Sequence, residues 1–138
     1  MTKRVNTDSY MEFVNAVTSE ESKDYIPFNS RCFEIQSGDD GIPIHRLITA
    51  ALGMGAESGE FTEVVKKIVF QGKPVNEDNI FHMKRELGDI MWYVAQACMS
   101  LDTTIDESIE MNVEKLQARY PGGSFDVDYS ENIQEGDV

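Results

Sequence analysis

Two long segments of this 138-residue chain repeat apolar side chains at helical spacing, and they constrain the fold more than any other feature. From Pro43, which suits a first helical turn, Ile44, Leu47, Ile48, Ala51, Phe61, Val65, Ile68 and Val69 hold one stripe as far as Phe70. Gln71-Gly72-Lys73-Pro74 then stops the helix. After a start at Asn76 to Asn79, a second stripe runs through Ile80, Met83, Leu87, Ile90, Met91, Val94, Ala97, Cys98 and Leu101. No segment alternates with the period of two that a half-buried strand needs. The expectation is an all-α fold, a bundle of four to five helices.

Each long segment carries a pair of acids three residues apart, Glu57 and Glu60 on the first, Glu86 and Asp89 on the second. That spacing makes the members of a pair neighbours on a helix surface. At about 100° per residue, both pairs fall on the same shoulder of their apolar stripes. His82 and Tyr93 line up with Glu86 one and two turns away. Four carboxylates converging on a helix seam must be protonated, paired or bound to a cation. Oxygen-only ligands favour Mg²⁺ or Mn²⁺ over zinc, and such an ion can neutralise a polyphosphate and generate a nucleophilic hydroxide. Gly59 and Gly88 precede the second acid of each pair. Their cost inside a helix, about 1 kcal/mol relative to alanine, predicts close approach of a partner helix, the metal or the substrate. The competing reading, solvated acidic helix faces, does not explain the matched offsets.

The flanks are read from caps and breakers. Residues 1–7 are expected as a loose arm, and Asp8 as the cap of a helix with Tyr10, Phe13, Val14 and Val17 on one face. Pro27, Gly38 and Gly41 break the stretch from Ser19 to Ile42, which reads as an irregular strap with Tyr25, Ile26, Phe28, Phe33 and Ile35 packing on the bundle and Cys32 in a loop. Thr104 and Glu107 form a capping box for a further helix with Ile105, Ile109, Val113 and Leu116 on its stripe and Asn112, Lys115 and Arg119 on one shoulder. Tyr120-Pro-Gly-Gly ends it. Residues 1–123 are thus expected as a single domain and 124–138 as an acidic, disordered tail.

A formal charge of −13 repels phosphate backbones, so direct nucleic-acid binding is not expected. Neither a signal-peptide apolar region nor a run of about 20 apolar residues is evident. The expected setting is the cytoplasm, with no membrane association. Cys98 reads as core packing.

Three blocks in order carry a family resemblance. Ala50-Ala-Leu-Gly-Met-Gly-Ala-Glu57-Ser-Gly-Glu60 with Val64-Val-Lys-Lys67, then Glu86-Leu-Gly-Asp89-Ile-Met-Trp-Tyr93, then Asn112-Val-Glu-Lys115-Leu-Gln-Ala-Arg119-Tyr-Pro-Gly, resemble the MazG-type nucleoside triphosphate pyrophosphohydrolases. The family pattern is ExxE, a spacer and ExxD, and here 25 residues separate Glu60 from Glu86. The resemblance covers roughly residues 44–123 and implies an all-α bundle of the MazG/dimeric dUTPase-like kind, working as a homodimer or homotetramer. It further implies Mg²⁺-dependent cleavage of a (d)NTP between the α and β phosphates, with Glu57, Glu60, Glu86 and Asp89 as metal ligands and catalytic acids. Lys115 and Arg119 match phosphate-binding positions, Asn112 a sugar or phosphate position, and Lys67 is a further phosphate candidate. Many members read EExxE, whereas this chain has Ala56 in place of the leading Glu, which puts any supporting role of that residue in doubt.

Other readings stand beside this one. A non-enzymatic acidic interaction protein would leave the carboxylates solvated, and a related dUTPase or dCTPase would differ only in its base pocket. A di-iron bundle needs Glu-x-x-His pairs, which neither acidic motif supplies. Glu63, one turn past Glu60, reads as a solvated residue, and Trp92 as buried at a seam.

Overall fold

The computed structural model describes residues 6–132 and is helical throughout, with no strand among them. Seven helices follow one another among the described residues: α1 (Thr7–Val17), α2 (Glu20–Lys23), α3 (Tyr25–Ser37), α4 (Ile44–Phe70), α5 (Glu77–Ser100), α6 (Ile105–Arg119) and α7 (Val127–Glu131). They fall into two compact units, one ending at Ile44 and the other beginning at His45. No described helix is long and apolar enough to cross a membrane.

In the first unit, α1 is capped by Asn6 rather than Asp8. The Asn6 side chain accepts from the N–H groups of Asp8 and Ser9 at 3.1 and 3.2 Å. Asp8 sits inside the first turn, where a negative charge complements the helix dipole. The expected strap is instead helical, because Asp24 caps α3 by accepting from Ile26 N–H at 3.0 Å. That cap puts Pro27 in the first turn, where a missing N–H costs no helical bond. Cys32 therefore lies on a helix, and Tyr25, Ile26 and Phe33 are exposed.

In the second unit, the two long helices run as far as their stripes predict. Beyond α4, Gly72 takes a positive φ of 70°, which glycine adopts without steric cost, and Lys73 N–H returns to the Lys67 carbonyl at 3.1 Å. Asn76 caps α5 by accepting from Asn79 N–H at 2.9 Å. The Thr104–Glu107 capping box forms in full: Glu107 N–H donates to Thr104 Oγ1 at 3.1 Å, and Thr104 N–H to Glu107 Oε2 at 3.0 Å. Thr103 Oγ1 adds a 2.8 Å bond to the same carboxylate oxygen. These donors hold the Glu107 carboxyl below its ordinary pKa, Thr103 contributing most and then Thr104. Cys98 is buried, as its stripe predicts, and approaches Ser108 Oγ at 3.9 Å, joining α5 to α6. Within the acidic tail, Val127–Glu131 form the short α7, capped by Asp126; residues 133–138 lie outside the described residues.

The seam between α4 and α5 is antiparallel and fixed at three levels. Arg46 approaches the Met99 sulfur at 3.4 Å, Gly53 meets the ring of Tyr93, and Glu57 and Glu60 meet Glu86. Moving forward along α4 thus means moving back along α5. At 1.5 Å per residue, the steps from Gly53 to Glu60 and from Tyr93 to Glu86 are both about 10 Å.

This seam lies on the shoulders of the two helices, about a quarter turn from their apolar stripes. Its buried positions on α4 are Ala50, Gly53 and Val64, and on α5 they include Glu86 and Ser100. The stripes stay open in the single chain, with Leu87 50% and Met91 47% exposed. Trp92, expected at a bundle or subunit seam, is 56% exposed in the single chain and stacks edge-on against Tyr93 with ring centres 4.8 Å apart.

Candidate metal centre

Gly53 is what lets the acidic shoulders meet. A Cβ there would fall within the Tyr93 ring, so the absence of a side chain sets how closely α4 approaches α5. One turn further along α4 comes Glu57, and two turns back along α5 comes Glu86. Gly59 and Gly88 do not set the helix approach: a Cβ at either would meet nothing within 4 Å beyond its own stretch of helix. The close approach of the partner helix, one of the three expected at these glycines, occurs at Gly53 instead.

Carboxylate oxygens of Glu57, Glu60 and Glu86 lie within 4.8 Å of one another. Glu86 is buried, Glu57 half-buried and Glu60 exposed, so the cluster is open on the Glu60 side. Glu86 Oε1 accepts from His82 Nε2 at 2.8 Å, while its buried Oε2 has no hydrogen-bond partner. The Glu57 carboxyl is pushed above its ordinary pKa of 4.5, first by loss of hydration and then by the charges of Glu60, Asp89 and Glu86. Contact with Glu86 raises the Glu57 pKa further; when both acids are ionised, neither has a proton to give the other, and Glu86 Oε2 is left without a donor. A cation removes both penalties, and an all-oxygen donor set suits a hard divalent ion. Asp89 is exposed and lies outside the close cluster, yet its charge is felt at Glu57.

The remaining candidates are less tightly placed. Lys67 pairs with Glu63 at 3.0 Å, which holds the Glu63 carboxyl below its ordinary pKa, so Lys67 must exchange that partner to meet a phosphate. Such exposed pairs are weak and exchange readily. On α6, Asn112 and Lys115 are exposed and Arg119 is half-buried.

Sequence reasoning placed His82 on the right face without giving it a partner, and the four-residue step from His82 to Glu86 was the available signal. Gly53 was missed as the seam residue. A glycine one turn before the first acid of the pair was the clue.

Residues 47–124, within the unit that holds the acidic seam, match the family described as the MazG nucleotide pyrophosphohydrolase domain. The chain belongs to this family. It is also 37% identical over 81 residues to the Gene 37 protein of Mycobacterium phage L5, an alignment covering 58% of this chain and 71% of the phage protein. No solved structure matches the chain significantly. The matched MazG region contains all four acids, His82 and the candidate cations of α4 and α6.

Proposed function

We propose that the chain hydrolyses (deoxy)nucleoside triphosphates to the nucleoside monophosphate and pyrophosphate, with Mg²⁺, or Mn²⁺ in its place, held by Glu57, Glu60, Glu86 and Asp89. The observation that carries this reading is the buried, unpartnered Oε2 of Glu86 beside two further carboxylates. A solvated acidic face would not bury one of its acids, which weighs against a purely non-enzymatic interaction protein. When bound, the ion neutralises charge on the phosphates and polarises them. The chain's own residues do the rest. Glu60, on the exposed side of the cluster, is the carboxylate placed to orient and deprotonate an attacking water. Lys115 and Arg119 steady the phosphates of the leaving pyrophosphate, Asn112 binds sugar or phosphate, and Lys67 trades Glu63 for a phosphate oxygen. The acidic surface keeps the protein off nucleic acid and leaves it to free nucleotides of the cytoplasm.

The working form in this proposal is a homodimer or homotetramer. The open stripes of α4 and α5, including Val69, Leu87 and Met91, are the kind of apolar surface that a second copy buries.

A panel of ribo- and deoxynucleoside triphosphates, each incubated with Mg²⁺ and separated by ion-exchange chromatography, tests the proposal. Monophosphate and pyrophosphate are expected in equal amounts, lost in Glu57→Gln and in Asp89→Asn. The same panel reveals whether a narrow dUTPase- or dCTPase-like preference operates. A folded wild-type protein that turns over no member of the panel refutes the reading.

A further inference from the structure

His82 stands one turn before Glu86 on α5 and directs Nε2 at Glu86 Oε1, 2.8 Å away. The two side chains differ sharply in exposure, 47% for His82 and 8% for Glu86. An ordinary pair four residues apart on a helix surface leaves its glutamate solvated and free to change rotamer. Here one oxygen of a buried carboxylate is anchored and the other, also buried, has no partner. An ionised carboxylate only accepts, so the imidazole Nε2 carries the proton in this bond.

The geometry points to His82 as a positioning residue that fixes the Glu86 carboxylate, with its unpartnered Oε2, in the cluster with Glu57 and Glu60. This rests on the reading of those acids as a divalent-metal site. Outer partners that orient a metal ligand are worth about 10- to 100-fold in metal affinity. His82 supplies such an anchor from the same helix, so it holds Glu86 before any ion arrives. Without it, Oε1 loses its donor, and the carboxylate can rotate out of the cluster to find water. His82 does not touch the ion in this arrangement, because its Nε2 is committed to Oε1.

Calorimetric titration of the full chain with Mn²⁺, comparing wild type, His82→Ala and His82→Gln, tests the assignment. Thermal melts report whether each variant folds, and the exposure of His82 predicts that both do. Affinity is expected to fall about 10- to 100-fold in the alanine variant. The glutamine variant, whose amide donates from a similar reach, is expected to recover most of that loss. Unchanged affinity in His82→Ala, with normal binding by wild type, overturns the anchor and leaves the metal reading standing. Equal loss in both variants also overturns it, since the amide restores the hydrogen bond. Electron spin-echo measurements on the Mn²⁺-loaded wild type are expected to show no imidazole nitrogen modulation. A modulation that His82→Ala removes makes His82 a ligand instead. Failure of the wild type to bind Mn²⁺ at all overturns the metal reading, and this assignment with it.

Discussion

Replacing Gly53 by alanine isolates the contact that brings the two acidic pairs together. The new methyl group would fall within the Tyr93 ring, and Gly53 is itself buried, so the ring has to move or the helices have to part. Overpacking of this kind costs about 1–3 kcal/mol. Alanine also returns about 1 kcal/mol of helix propensity, leaving a net loss of up to roughly 2 kcal/mol. Gly59→Ala and Gly88→Ala gain the same propensity and meet nothing beyond their own stretch of helix, so each should stabilise by up to about 1 kcal/mol. Urea denaturation of all three variants separates the two terms, because their difference cancels the propensity. Adding Tyr93→Leu makes room for the methyl, and the double variant should recover much of the loss, a coupling expected only for residues in contact. The Gly53 variant should also bind divalent ions more weakly, since Glu57 lies one turn away. A Gly53→Ala protein as stable as Gly59→Ala, or no coupling to Tyr93, would refute the seam.

Three further outcomes follow from the same geometry. Glu57 has a raised pKa in the fold, so its ionisation costs stability above that value, and the cost lifts as pH falls through it toward 4.5. In metal-free denaturation series across pH, Glu57→Gln should therefore exceed wild type at neutral pH and converge with it in acid; added Mg²⁺ should close the gap from the wild-type side only. The capping box predicts that Thr104→Ala loses about 1 kcal/mol at neutral pH. The Glu107 carboxylate, held below its ordinary pKa chiefly by Thr103 Oγ1 and the Thr104 N–H, adds a separate contribution that is full above about 4.5 and disappears as pH falls through the lowered value, which melts of Glu107→Ala against wild type at several pH values will show. Lys115→Ala and Arg119→Ala should each raise KM for the triphosphate about tenfold or more, the scale of a charge-assisted hydrogen bond, with little change in Mn²⁺ affinity.

The long helices were legible because period and punctuation agree at both ends: α4 ends at Phe70, and α5 begins after Asn76. Matching the offsets of the acid pairs correctly put Glu57, Glu60 and Glu86 together, whereas Asp89 is near enough for its charge to act without joining the close cluster. What the pattern hid was which arc of each helix faces the other. The most apolar arc is the default choice for a seam, yet α4 and α5 meet on a narrower line through Gly53, Glu57, Glu86 and Tyr93. Hydropathy has no weight for a glycine that admits a ring, and nothing in the hydropathy pattern distinguishes Gly53 from Gly59 or Gly88. Residues 19–42 read as a strap because Pro27 looked like a breaker, and only the cap at Asp24 shows it inside a first turn, where proline is tolerated.

The most direct test of the site is the anomalous signal from crystals grown with Mn²⁺ and a non-hydrolysable triphosphate analogue. A manganese peak bounded by carboxylate oxygens of Glu57, Glu60 and Glu86 is expected, with the phosphates running from it toward Lys115 and Arg119. Manganese bound away from these acids, or a triphosphate seated with no contact to an ion they hold, would contradict it.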